Sequence, residues 1–232
     1  HMEFDVMEPE NALRLMRFQR QWSKNQAWSF LPLYLRRAVS VALCGHHALL
    51  CVGEPGNGGN WIRQLLEPFD IDVELVRLCL CGHLGTPTQA CLCRVHTVRT
   101  LYQDAIARFM ECDMVVSLPS PATVDMLQPA QLRSAQESFD VYVGRAASPH
   151  IKSSLQELTL QCNHPAETLF RQWMTALAPS HERVLRTLYV AQTIAMMDGA
   201  SGIMPQHLAE ACQYAVVPCE CGKVVTRLGD PA

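Results

Sequence analysis

The fold of this chain is constrained first by Cys79-Leu-Cys81-Gly-His-Leu-Gly85-Thr-Pro-Thr-Gln-Ala-Cys91-Leu-Cys93. The four cysteines form two Cys-x-Cys pairs, and the glycines and the proline between the pairs allow the chain to fold back. Four thiolates can then converge on one tetrahedral metal ion, for which Zn2+ is the expected choice. Two disulfides, or four reduced cysteines in a core, are the alternatives, but core cysteines are usually scattered singly.

This cysteine loop also resembles a loop of the magnesium-chelatase-like AAA+ proteins of the competence protein M (YifB) type. Many members of that family carry Cys-Pro-Cys-Gly-Tyr-x-Gly, followed by Cys-x-Cys and a helix. Leu80 stands here at the usual proline and His83 at the usual tyrosine. The resemblance implies an α/β AAA+ core with an all-α lid and, in active relatives, an ATP-driven ring acting on DNA or on a partner protein.

Composition and charge limit the class of protein. Hydrophobic residues make up 49% of the 232 residues, which is enough for a sizeable core, and the net charge of -3 implies no globally electrostatic partner. No apolar run is long enough to span a membrane, and no signal peptide is visible, so the expected location is cytoplasmic. Eleven cysteines fit a reducing compartment with a metal better than a secreted disulfide framework. His1-Met2 is interpreted as a cloning remnant.

The N-terminal residues carry a local excess of basic side chains. Residues 8–26 are predicted to form an amphipathic helix, with Arg17, Arg20 and Lys24 on the face opposite its apolar residues. This face is the candidate nucleic-acid surface. An ordinary solvated helix face is the alternative, because basic helical faces are common on soluble proteins.

A strand, a glycine-rich loop and a helix follow, which is the context that a P-loop requires. Pro32 begins a predicted helix that runs to about residue 44, residues 47–52 form the strand, and residues 61–66 form the next helix. The loop between them is Gly53-Glu-Pro-Gly56-Asn-Gly58-Gly59-Asn60. Its backbone amides could form an anion nest, which makes Gly53, Gly56, Gly58, Gly59 and Asn60 the candidate nucleotide-binding remnant.

The resemblance continues through this loop but lacks the catalytic side chains. Gly59 stands at the P-loop lysine, which reaches the phosphates, and Asn60 at the Ser/Thr that holds Mg2+. The Walker-B acids of the family have no counterpart, since Asp72 and Glu74 alternate with apolar residues and are expected to face solvent. Cys112 falls near the place of the family's arginine finger. ATP is therefore not expected as a ligand, and the protein is expected not to be an ATPase.

The remainder of the chain is predicted to be helical after a boundary at Ser117-Leu-Pro-Ser-Pro121, with helices at about 129–147, 165–178, 181–198 and 205–216. Residues 190–214 closely resemble the family's helical lid. His207 and Glu210 are interpreted as surface or packing residues of that lid. Ser180-His181-Glu182 stands where the family carries a sensor arginine, and Cys219-Glu-Cys221-Gly repeats the cysteine motif near the C-terminus.

Together these features predict an α/β protein with a truncated AAA+ P-loop-like core that carries a cysteine-rich zinc loop, followed by an all-α lid domain. The expected parts are a basic helix (1–30), a shortened core (31–120) with the zinc loop (79–93), and a lid-like domain with a Cys-x-Cys tail (121–232). The first hypothesis is a non-hydrolysing zinc-binding scaffold or regulatory subunit for protein partners, AAA+ ring subunits or nucleic acid. The alternatives are a motor component completed by another subunit, and a metal or redox sensor.

Overall fold

The computed structural model describes residues 31–81, 91–119 and 155–216. These residues divide into two compact units. One unit comprises residues 31–47 and 155–213, and the other comprises residues 48–81 and 91–119 with 214–216. The predicted N-terminal helix, the predicted helix at 129–147 and the C-terminal Cys219 and Cys221 lie outside the described residues, and the proposed boundary near residue 120 stays a prediction.

The α/β unit is built on a small parallel sheet. The strands are β1 (Leu49–Val52), β2 (Val73–Val76) and β3 (Met114–Ser117), in the order β2-β1-β3. β1 is buried along its whole length, as expected for the central strand of a parallel sheet. Each parallel neighbour requires a crossover connection. The first contains α2 (Asn60–Leu66), and the second contains the cysteine loop and α3 (Val95–Glu111).

One face of this sheet packs into an apolar core. The core is formed by Leu50, Val52, Val76, Leu78, Ala105, Cys112 and Val115, with Ala48, Tyr102 and Phe109 packed against it. Ala105, Tyr102 and Phe109 all belong to α3, so this helix covers the sheet. The predicted strand at 47–52 and the predicted helix at 61–66 are confirmed by β1 and α2. Asp72 is exposed and Glu74 is half-buried, in agreement with the predicted solvent side of β2.

The helical unit consists of α1 (Leu33–Gly45), α4 (Leu155–Leu160), α5 (His164–Leu177), α6 (His181–Met197) and α7 (Pro205–Tyr214). Side-chain caps fix two of the helix starts. Asn163 accepts a hydrogen bond from the amide of Ala166, and Ser180 accepts one from the amide of Arg183. The apolar stripe of α6, which contains Val184, Leu188, Ala191 and Ala195, is buried. Among the described helices, none combines the length and the apolar character that a membrane span requires.

The helix α1 belongs to the helical unit, although sequence reasoning placed residue 31 onward in the α/β core. It packs against α6. A Cβ added at Gly45 would lie 2.1 Å from His47 Nε2 and 2.5 Å from Thr193 Oγ1, so only glycine permits this approach. The buried His47 and Thr193 side chains are joined by a 2.9 Å hydrogen bond. Tertiary contacts of this kind cannot be read from the order of elements along the chain.

Candidate metal centre

Two segments of the α/β unit bring the cysteine pairs together. Cys79 and Cys81 follow the end of β2, and Cys91 and Cys93 immediately precede α3. Residues 82–90, which join the two pairs, lie outside the described part of the chain. Because β2 and α3 pack in the same unit, the end of β2 positions the first cysteine pair close to the second pair at the start of α3.

The four sulfur atoms form one compact cluster. All four Sγ atoms lie within 4.8 Å of one another, with 3.7 Å between Cys79 and Cys81 and 3.5 Å between Cys81 and Cys91. A tetrahedral Zn2+ with bonds of about 2.3 Å would separate its sulfur ligands by about 3.8 Å. The cluster therefore has the donor type and the spacing that a four-coordinate metal ion requires.

The disulfide alternative does not describe these side chains. None of the cysteines in the described residues forms a disulfide, and the sulfur separations of 3.7 Å and 3.5 Å are well beyond the roughly 2.05 Å of such a bond. The core alternative also fails for three of the four, because Cys81, Cys91 and Cys93 are only half-buried. The predicted ligands Cys79, Cys81, Cys91 and Cys93 thus lie together at a site that could hold a metal ion.

The protonation state of the four thiols affects how the cluster can bind a metal ion. Burial, together with the nearby thiols of Cys81 and Cys79, raises the pKa of Cys91 to about 12. The amide of Cys81 donates a hydrogen bond to Cys93 Sγ at 3.4 Å. A metal ion would have to displace protons from these thiols, because the thiolate is the ligand.

The glycine-rich loop has the predicted position between β1 and α2 but is held by contacts within the protein. Gly53 has a φ of 143°, and Gly58 has a φ of 107°, within the π-helical turn Pro55–Gly59. Asn57 donates a 2.8 Å hydrogen bond to the carbonyl of Pro119, and Glu54 pairs with Arg77 at 2.8 Å. The side chains of Glu54 and Asn57 are therefore bound within the α/β unit.

Leu118 packs closely against two glycines of this loop. A Cβ added at Gly53 would lie 2.9 Å from Leu118 Cβ, and one added at Gly59 would lie 2.9 Å from Leu118 Cδ1 and 3.0 Å from Leu75 Cδ2. A Cβ at Gly56 would meet nothing within 4 Å. Gly59, which stands at the place of the P-loop lysine, is thus buried in a contact that leaves little room for a side chain.

Two residues near the expected arginine-finger position have structural contacts. Cys112 is buried in the core beneath the sheet. Arg108 lies on α3, where it forms ion pairs with Glu74 of β2 and with Asp104 at 3.1 Å.

In the helical unit, His207 has a packing role, as the sequence predicted. His207 is buried, accepts a hydrogen bond at Nδ1 from the amide of Met204 and lies 3.4 Å from Asp198.

Sequence reasoning missed the ion pair that joins α1 to α7. Arg37 Nε lies 2.9 Å from Glu210 Oε1, and Arg37 Nη2 lies 3.1 Å from Glu210 Oε2 and 3.2 Å from Asp198 Oδ1. Arg37 and Glu210 each occur in a stretch that resembles the family, but 173 positions separate them. At the place of the family's sensor arginine, Ser180 caps α6 and the neighbouring Arg183 is buried.

The candidate nucleic-acid residues Arg17, Arg20 and Lys24 lie outside the described residues, and their role stays a prediction. The candidate nucleotide-binding glycines Gly53, Gly56, Gly58 and Gly59 lie between β1 and α2, and Asn60 is the first residue of α2. A role for these residues in binding also stays a prediction.

Comparison with known proteins addresses the helical part of the chain. Residues 130–215 match the family model described as the C-terminal domain of magnesium chelatase subunit ChlI. No curated protein matches the chain. The matched range includes α4, α5, α6 and α7. Residues 130–215 of this chain are therefore similar to the C-terminal domain of the magnesium chelatase subunit ChlI.

Proposed function

We propose that this protein is a shortened, degenerate member of the competence protein M type of AAA+ protein, which binds one structural Zn2+ and does not hydrolyse ATP. It would act in the cytoplasm as a scaffold or regulatory subunit for protein partners, AAA+ ring subunits or nucleic acid. The observation that carries the proposal is the convergence of four thiols, with tetrahedral spacing, between β2 and α3. The match of residues 130–215 to the C-terminal domain of the magnesium chelatase subunit ChlI supports the expected helical lid.

Zinc is the metal that fits the four thiols best. Soft thiolate donors favour Zn2+, Cu(I) or iron–sulfur chemistry over hard cations, and four of them at tetrahedral spacing are typical of structural zinc sites. Four protein ligands leave no open position for water or a substrate. Cys79, Cys81, Cys91 and Cys93 would therefore fix the loop between β2 and α3 rather than perform a reaction.

The loss of ATP hydrolysis is supported by the glycine loop. Phosphoryl transfer depends on positioned charges, and Gly59 and Asn60 cannot supply the lysine charge or the Mg2+-binding hydroxyl. The packing of Leu118 against Gly59 fills the space where such a side chain would begin. Cys112, near the arginine-finger position, is buried in the core and carries no positive charge.

Two measurements on the purified full chain test the proposal. Elemental analysis should find about one zinc per chain, because a closed four-thiolate site binds Zn2+ strongly. ATP hydrolysis, with and without DNA, should stay at background. The control variant is Gly56→Trp, because position 56 is the loop glycine at which a side chain meets open space. Turnover that this variant abolishes would reject the scaffold proposal in favour of a motor component.

A further inference from the structure

We infer that the N-terminal end of α1 binds a phosphoryl oxyanion through the guanidinium of Arg36. This site lies in the helical unit, apart from the thiol cluster and from the glycine loop. It does not depend on the proposed function. The inference begins with a buried arginine that lacks the partners that such a residue normally has.

Arg36 is 4% exposed, and its Nε and Nη1 are buried without a hydrogen-bond partner in the structure. Burial lowers the pKa of Arg36, with no acidic group among the causes of the shift. Arginine nevertheless stays charged in proteins. A buried charge without a partner is strongly destabilising, so a guanidinium in this position requires an anion.

The neighbouring arginine shows the contrast. Arg37 has two carboxylates within hydrogen-bond distance, those of Glu210 and Asp198. Glu210 lies on α7 and Asp198 ends α6. Their negative charges compensate the positive charge of Arg37. Arg36, one position earlier on the same helix, has no ion pair in the described part of the chain.

The N-terminal end of α1 is a second feature that favours the binding of an anion. The 13-residue helix begins after Pro32, has no side-chain cap and has no acidic residue in its first turn. The first amides of a helix lack intrahelical partners and carry the positive end of its dipole. Side chains on a helix lean toward its N-terminus, so Arg36, in the first turn, lies at the same end as these amides.

The chemistry of these donors specifies the ligand class. The unpartnered Nε and Nη1 of Arg36 lie on different edges of the guanidinium, so each can donate separately to a phosphoryl oxygen, and helix amides bind the same kind of oxygen. The exposed side chains of Leu33 and Tyr34 border this end, so the ligand would enter from the solvent side of the first turn.

The test measures thermal stability and phosphate binding of the full metal-loaded chain at fixed ionic strength. Inorganic phosphate should raise the Tm of the wild type saturably, and matched sodium chloride should not. Arg36→Met should bind phosphate at least about tenfold more weakly and, without phosphate, should be as stable as the wild type or more stable. Arg36→Lys, which keeps the charge but loses the fork, should lie between them.

Arg171→Met is the matched control, because Arg171 lies on α5 of the same unit and is largely exposed. It should respond to phosphate as the wild type does. An equal phosphate response in Arg36→Met, or no saturable response in the wild type, would overturn the inference. A competition experiment with adenosine monophosphate in the Gly56→Trp variant identifies where the bound phosphoryl group comes from. Competition with inorganic phosphate indicates the phosphoryl group of a nucleotide. No competition indicates free phosphate.

Discussion

Arg37 and Glu210 form a two-point ion pair, with 2.9 Å between Nε and Oε1 and 3.1 Å between Nη2 and Oε2. The fork of the guanidinium matches both carboxylate oxygens, and Asp198 adds a third contact at 3.2 Å. Both side chains are mostly buried, at 21% and 25% exposure. The pair joins the helix that precedes β1 to the last described helix of the matched family domain.

Replacing Arg37 by Met should lower the free energy of unfolding by about 1–2 kcal/mol, because it removes the guanidinium that hydrogen-bonds to two mostly buried carboxylates. Arg171→Met removes an exposed pair within one helix and should cost less than about 0.5 kcal/mol. Urea unfolding of both variants provides the comparison. Equal losses for the two variants would contradict a special role for the Arg37–Glu210 pair.

Replacing Cys91 by Ser should lower metal content and stability together, because the binding energy of a structural metal is also folding energy. The matched control is Cys162→Ser, a half-buried thiol of the helical unit, which should keep the full metal content. Elemental analysis and thermal unfolding check both properties. A Cys91→Ser protein with wild-type stability, or a wild type that keeps its full stability after complete chelation, would argue against a structural metal.

Metal binding should weaken as the pH falls from about 8 to 5, by roughly tenfold per pH unit for each proton displaced. The sign follows from Cys91, whose pKa is raised to about 12, so its thiol is protonated in this range without the metal. A second effect concerns the folding stability of the metal-free protein. Its free energy of unfolding should fall as the pH rises above about 9, because the Cys91 thiol then ionises in the unfolded state but not in the folded state. A competition titration with a chelator of known affinity measures the first effect.

Two glycines of the loop should respond differently to alanine. Gly53→Ala should cost about 1–3 kcal/mol, since Gly53 has a φ of 143° and its added Cβ would lie 2.9 Å from Leu118 Cβ. Gly56→Ala should be neutral or stabilising by up to about 1 kcal/mol, because its Cβ meets open space and the unfolded chain loses freedom. Denaturant unfolding ranks the two, and the opposite order would refute the packing described for Leu118.

The triple variant of Arg17, Arg20 and Lys24 to alanine tests the proposed nucleic-acid surface. If these residues contact phosphates, the variant should bind DNA or RNA more weakly, with a flatter dependence on salt, because each contact releases a counterion. Binding titrations at several salt concentrations measure the slope. The absence of any binding by the native protein at low salt would remove this surface from consideration.

The cysteine cluster could be predicted because its determinants are local. The spacing of Cys79, Cys81, Cys91 and Cys93 limits how far apart the thiols can lie, and the glycines between the pairs allow the loop to turn back. The strand, loop and helix around Gly53 and the apolar stripe of α6 were equally predictable, since hydrophobic periodicity and turn residues act over a few positions. The sequence also showed that Gly59 and Asn60 stand where a P-loop has its lysine and its Ser/Thr.

The tertiary structure alone decided which distant residues meet. The sequence by itself determined the elements, the four convergent thiols and the absence of a lysine at Gly59. Packing decided that α1 belongs to the helical unit, that Arg37 pairs with Glu210 while Arg36 has no acidic partner among the described residues, and that Leu118 lies against Gly59. The physical reason is that local propensities act over a few residues, whereas ion pairs and close packing depend on distances between segments far apart in the chain.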